Sequence, residues 1–175
     1  MYSKEQLAEL ILHSPEKFNE IVKLSEEELD LSEMDFSNQT LESVNFSRCD
    51  LSGCSFADTS LSLINFTDCT LESSDFIRAN IIECDFTGAL LNGTNFNCAI
   101  LNYCNFTDAD MVGCILTEAD LTDSDLTNCE NLSASRFDEY TIWPSNEFLP
   151  EDFDTTCPKD LSSLDDEDAI EPQDY

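Results

Sequence analysis

The chain has 175 residues, enough for one domain with its own core, and its apolar content is ordinary for a globular protein. Its charge is not ordinary: 38 acidic side chains against seven basic ones leave a net of −31, which repels nucleic acid and anionic lipid and requires any charged partner to be basic. Nine cysteines, an odd number in a chain too large to depend on disulfide staples, point to a reducing compartment.

No basic segment followed by an apolar run opens the sequence, and no stretch approaches roughly 18 apolar residues. A soluble, cytoplasmic protein is therefore expected. The first predicted elements are helical. Ser3 followed by Gln6 has the pattern of a capping box, and Leu7, Leu10 and Ile11 make an apolar stripe. Ser14-Pro15 starts a second helix carrying Phe18, Ile21, Val22 and Leu24. Residues 1–28 are thus expected to form a helical hairpin that caps whatever follows.

From Leu31 onward every fifth residue is large and apolar, through Phe36, Leu41, Phe46 and Leu51 to Leu116, Leu121 and Leu126, twenty positions without a gap. A step of five suits neither regular element: it rotates by about 140° on a helix and flips the side chain on a straight strand. The chain itself must turn, one short strand and one corner per unit. Two residues before each central position the side chain is usually small, as at Cys49, Cys54, Thr59, Cys69, Ala79 and Cys84, and also points inward. Two residues after it stand all four glycines, Gly53, Gly88, Gly93 and Gly113, with Asn38, Asn128, Asp58, Asp68, Asp108 and Asp123 at equivalent places, as a corner with positive φ requires.

The alternation of Leu and Phe sets the number of sides. With three units per coil every Leu would stack on a Phe; with four, Phe36, Phe56, Phe76 and Phe96 form one ladder and Phe46, Phe66, Phe86 and Phe106 the opposite one. Cys49 over Cys69 and Cys84 over Cys104 repeat the same step. At the far end the register slips by one residue, Leu132, Phe137 and Ile142 keep the step of five, and Trp143-Pro144 is expected to stop the repeat, giving it the span 29–143. Residues 144–175 are read as a closure by Trp143, Phe148 and Phe153 followed by an acidic, disordered tail beyond Pro158.

The units Ala79-Asn80-Ile81, Ala109-Asp110-Met111 and Ala119-Asp120-Leu121 resemble the A(D/N)Lxx consensus of the pentapeptide-repeat family. That resemblance implies an all-β solenoid, a right-handed quadrilateral β-helix, here with an N-terminal α-helical cap. Phe at the centre and Cys two before it are similar to the family's quinolone-resistance branch. Ser14 to Asn19 ahead of Leu29-Asp30-Leu31 is similar to leaders in its cyanobacterial members.

No residue is assigned a catalytic, cofactor or metal role. The inward cysteines read as core filler, and Cys98, which points outward, and Cys157, in the tail, are the candidate reactive thiols. His13 reads as a surface or helix-end residue. Asp75, Asp85, Asn95 and Asn105 read as partners of local backbone, and Arg48 and Arg78 as partners of Asp68 and Asp58 one coil away. Outward apolar residues gather on one face: Leu63, Ile82, Ile100 and Tyr103.

Two functions fit. One is a non-enzymatic interaction or scaffold module that binds an unknown protein partner or a second copy of itself, with no nucleic acid, membrane or small-molecule substrate. The other, which the quinolone-resistance resemblance implies, is a DNA mimic acting on a type II topoisomerase. Residues 26–143 carry 23 acidic and three basic side chains. Spread over six coils of about 4.8 Å, that is roughly one net charge per 1.4 Å against ~1.7 Å in B-DNA. The interaction module is preferred, because the repeat has neither a loop insertion nor an apolar C-terminal segment to pair two rods. Deleting Thr87 moves every later residue one place along the coil and exchanges inward and outward sets. Circular dichroism and soluble yield are expected to show gross loss of the fold; a wild-type melting curve overturns the five-residue unit.

Overall fold

The computed structural model describes residues 2–156; Cys157 and the acidic run beyond Pro158 lie outside the described residues. All twenty central side chains from Leu31 to Leu126 are buried, and the residue two before each is buried from Val44 to Ser124. These two inward positions per unit fill a single continuous core.

Backbone groups pair between coils twenty residues apart, always in parallel. In one repeating triplet, Ser55 N–H donates to Met34 O (2.9 Å), and Phe56 and Asp58 N–H donate onward to Asp75 O (2.6 Å) and Ile77 O (2.9 Å). Each coil is therefore tied to the one before and the one after it. Strand β1 (Leu29–Asp30) pairs with β3 (Cys49–Asp50), and β2 (Thr40–Glu42), β4 (Ser60–Ser62), β5 (Asn80–Ile82) and β6 (Ile100–Asn102) form a four-stranded parallel sheet. The other sides pair through single bridges in the same register, such as Asn65 with Asp85 and Asp85 with Asn105.

The corners explain the shape. Every position two after a central residue, from Glu33 to Asn128, has φ between 54° and 69°, whatever its side chain. Most corners close with a hydrogen bond from the residue that follows to the central carbonyl, for example Cys49 N–H to Phe46 O (3.0 Å). Among the described residues the corner after Leu31 and those after Leu41, Leu61, Ile81 and Leu101 lack that bond, and the last four of these sides alone hold three-residue strands. Two of these open corners also take a larger inward residue, Val44 and Ile64, while the other two on the same face are followed by Cys84 and Cys104.

The two Phe ladders form as expected. Successive rings stack at 4.7 to 5.5 Å within each ladder, as in Phe56 over Phe76 and Phe66 over Phe86, both 4.7 Å. Across the core the two columns meet edge to face, Phe66 against Phe76 at 6.1 Å and 89°.

Helices α1 (Lys4–His13) and α2 (Pro15–Leu24) lie on the first coil, and the Ser3–Gln6 capping box is present. Leu7, Ile11, Phe18 and Val22 enter the core, with Phe18 5.6 Å from the Phe46 ring. Leu24, expected in the apolar stripe, is 80% exposed, because the helix ends there and the chain turns away at Ser25. The hairpin also satisfies the open backbone edge. Asn19 accepts from Asn45 N–H (2.7 Å) and donates to Ser43 O (2.9 Å), while Lys4 donates to Ser32 O (2.9 Å). Lys4 lies 2.6 Å from Asp30, and its ammonium with the Ser32 hydroxyl and amide holds that carboxyl down at about 2.

At the other end the slip is larger than one residue. The pairing step grows from Asp110 with Glu130, to Ile115 with Arg136, to Asp120 with Ile142. Leu132 and Phe137 are buried as expected, but Ile142 faces outward, and Trp143 takes the place above Leu121. The ladder continues past Trp143-Pro144, with Leu126 N–H donating to Phe148 O (2.8 Å), so Leu149 is buried in place of the expected Phe148. The lid is an aromatic triad of Phe137, Trp143 and Phe153, with ring separations of 5.0 to 5.8 Å. The physical cause is a widening last coil, whose added residues displace the five-residue register.

The cap generates a stability test. Asn19→Ala leaves a part-buried N–H and a carbonyl of the first coil unpaired and is expected to cost about 1–3 kcal/mol. Phe18→Ala, which empties a core site, is expected to cost about 3–5 kcal/mol in denaturant melts. Wild-type stability for both would show that the hairpin does not seal the rod.

Candidate interaction surface

The candidate polar sites resolve into local structure. Asp75, Asp85, Asn95 and Asn105 each accept from the backbone N–H two residues on, at 2.8 to 3.1 Å. On the Phe46 side this pattern repeats at Asn45, Asn65, Asp85, Asn105 and Asp125, and Thr87 and Thr107 donate their hydroxyls to the same carboxyl or amide. That face is flat, polar and largely satisfied by itself. His13 sits at the end of α1, its Nδ1 3.1 Å from Glu9 O.

Arg78 grips Asp58 through Nε (2.7 Å) and Nη2 (2.6 Å), the ladder pair that the spacing predicts. Arg48 does not pair with Asp68. Both line a cleft with Glu26, Glu27 and Glu28.

Cysteines 49, 54, 69, 84, 104, 114 and 129 are all buried and free. Beyond filling space, their thiols donate hydrogen bonds that the sequence reading did not anticipate. Cys54 reaches Leu31 O (3.1 Å), Cys114 reaches Leu91 O (3.0 Å) and Cys129 reaches Phe106 O (3.1 Å); Thr94 and Ser124 do the same to Leu71 O and Leu101 O. The inward slot is thus small and also donor-bearing, because central carbonyls turn toward it. Burial pushes the thiols of Cys49, Cys54 and Cys129 up to about 12 and raises Cys69 and Cys114 as well. Cys104 is raised by the adjoining Cys84 thiol and by burial. Cys98 stands half-buried at a corner, its thiol raised by partial burial and by Glu118.

The outward apolar residues sit on the four-stranded sheet, here the Leu41 face. Leu63 and Tyr103 occupy two of its open corners and are 51% and 60% exposed; Ile100, on β6, is 41% exposed, and Ile82, on β5, is half-buried between them. Ile142 adds to this face one coil beyond Asp120, a residue the sequence reading had placed inside. Two further exposed residues, Leu90 and Val112, lie on the opposite face and were not anticipated; they are a single pair in adjacent coils. No Lys or Arg lies at an outward position of the Leu41 face, and Glu42, Glu83, Asp120 and Asp123 do.

The sequence profile described as pentapeptide repeats matches the chain in eight copies, over residues 27–58, 59–97, 89–128 and 99–138. The chain belongs to the pentapeptide-repeat family. Its coil is accordingly right-handed as well as four-sided. Pentapeptide-repeat proteins are in general non-catalytic structural or interaction modules. Among solved structures, the chain is similar to Rfr23 from the cyanobacterium Cyanothece 51142 (20% identity, TM-score 0.63, covering 73% of this chain and 99% of that one). It is also similar to a pentapeptide-repeat protein from the Arabidopsis thaliana thylakoid lumen (22%, TM-score 0.42, 68% and 70%). A third is the plasmid-mediated fluoroquinolone resistance protein QnrB1 (17%, TM-score 0.34, 63% and 80%). At 20% identity the likeness to Rfr23 shows the fold alone. No curated protein sequence matches this pentapeptide-repeat protein. No helix among the described residues is long and apolar enough to cross a membrane.

The raised thiols set a labelling pattern. Thiol reagents act on the thiolate, so between pH 7 and 9 the buried cysteines are expected to react only after unfolding, while Cys98 and Cys157 react natively. Rapid native labelling of Cys69 or Cys114, read by mass spectrometry, contradicts a closed core.

Proposed function

We propose that this protein is a non-catalytic interaction module whose Leu41 face docks a protein partner. The observation that carries the reading is the placement of Leu63 and Tyr103. Both are large, half or more exposed, and held at φ 54° and 58°. A residue with a side chain costs roughly 1–2 kcal/mol in the left-handed region, which Gly, Asn or Asp tolerates more easily, and most corners of the rod hold smaller or polar residues. Among the corners from Glu33 to Asn128 only these two set a large apolar side chain out in solvent, area that a docked partner would bury. The eight free cysteines among the described residues favour a reducing compartment such as the cytoplasm for this activity.

The second reading, mimicry of DNA toward a type II topoisomerase, is supported by carboxylates on all four sides of the rod, for example Asp30, Asp35, Glu42 and Asp68. It depends on long-range charge rather than on the apolar face, so the two readings separate experimentally.

Replacing both corner residues, Leu63→Asn with Tyr103→Asn, relieves the strain. The variant is expected to melt at or above the wild-type temperature, yet to lose the partner that wild-type rod retains from its source cells. Association is expected to survive moderate salt, since a Debye length of ~10 Å in 0.1 M salt screens charge more than apolar contact. A salt-sensitive inhibition of topoisomerase supercoiling that the double substitution leaves unchanged would replace this reading with mimicry.

A further inference from the structure

The Leu41 face also states what kind of partner it fits. We propose that it holds an arginine receptor site: a guanidinium from an apolar, basic protein segment lies on the Tyr103 ring between Glu83 and Asp123, with neighbouring apolar side chains seated on Ile82, Ile100 and Leu63. This rests on the docking reading above and sharpens it.

One corner column runs Leu63, Glu83, Tyr103, Asp123, each one coil apart. Leu63 N–H donates to Ile82 O (3.2 Å), Glu83 N–H to Asn102 O (3.1 Å) and Tyr103 N–H to Thr122 O (3.3 Å), which fixes the order and spacing of the side chains. At about 4.8 Å per coil, a carboxylate stands immediately on either side of an exposed aromatic ring. Hydrogen bonding to the Asp123 carboxylate, then its charge and that of Glu83, raise the Tyr103 phenol above its ordinary value, so the ring's edge is already set against Asp123 in a negative field. A planar guanidinium stacks flat on an aromatic face and bonds carboxylates bidentately through its fork, whereas an ammonium is a compact, strongly hydrated point charge that cannot stack or fork. No cation of this face competes for the site.

Charge and area exclude the other occupants. A second copy would set Glu42, Glu83, Asp120 and Asp123 against themselves on two chains of net charge −31. Six coils and a three-residue strand give a face of roughly 300 Å², well under the ~800 Å² per partner of a stable dimer. Residues 157–175 carry seven acidic side chains and one basic, so the chain's own C-terminal segment is repelled as well.

The probe is a fluorescein-labelled synthetic peptide of leucine and arginine, compared with versions in which lysine or citrulline replaces arginine, and read by fluorescence anisotropy on the full chain. The arginine peptide is expected to bind at least about threefold tighter than the lysine peptide, and the citrulline peptide at least about tenfold more weakly. Tyr103→Leu keeps apolar area at the corner and is expected to erase the arginine preference, as is Glu83→Gln with Asp123→Asn. Asp50→Asn with Asp110→Asn removes two charges from the opposite face and is expected to leave the preference intact. Equal binding of the arginine and lysine peptides, or a preference that survives Tyr103→Leu, overturns the site. If peptide binding is lost with Leu63→Asn and Tyr103→Asn but shows no arginine preference, the docking face stands and the receptor site falls; binding indifferent to every substitution removes both. A concentration-dependent dimer in sedimentation velocity that Tyr103→Leu abolishes assigns the face to a second copy and refutes the proposal.

Discussion

A chain that turns after every five residues closes a square only if one residue in five adopts the left-handed conformation, and every other feature of this rod depends on that constraint. Twenty corners meet it, from Glu33 to Asn128. Once the corner is fixed, the central residue and the one two before it point inward, and the backbone groups between them face along the axis toward the neighbouring coils. The ladder of parallel hydrogen bonds, the stacked Phe columns and the donor-bearing inward slot all follow from that geometry.

The constraint is met in two ways, and the difference creates the rod's one distinctive face. Where the corner closes on the central carbonyl, the sides pair mostly through single bridges and their outward residues are mostly polar, Leu90 and Val112 being exceptions. Where it stays open, after Leu41, Leu61, Ile81 and Leu101, the strands lengthen to three residues and merge into a sheet. The carbonyls so released are met from within, as Ser124 and Cys104 do for Leu101 and Ile81. The same side therefore combines the broadest regular backbone with the largest exposed apolar residues, a combination that local folding does not require.

Most of the fold was legible because it is written in a strict period. Central residues, corner glycines, the helical cap and the two Phe ladders all announce themselves by spacing. The last coil was not, because its changes in step are set by which side chain fills the space above Leu121 and Leu126; nothing in the spacing of Ile142, Trp143 and Phe148 says that Trp143 and Leu149 win. The apolar face was found in part, since Leu63, Ile82, Ile100 and Tyr103 are outward residues of units twenty residues apart and so share one face, while Ile142 joins it only once the slip is known. The open corners left a faint mark at Val44 and Ile64, larger residues in a small slot. Whether Arg48 pairs with Asp68 was beyond spacing, because it depends on the Glu26–Glu28 run folding back beside it.

The widening of the final coil bears on how such a protein ends. A solenoid whose top edge repeats the geometry below it is a template, and templates recruit more of the same chain. Here the pairing distance lengthens along the last turn, and an aromatic triad sits over what would be the next layer. A second rod arriving end-on would meet a perimeter out of step with its own, so the register change works against end-to-end addition of like coils.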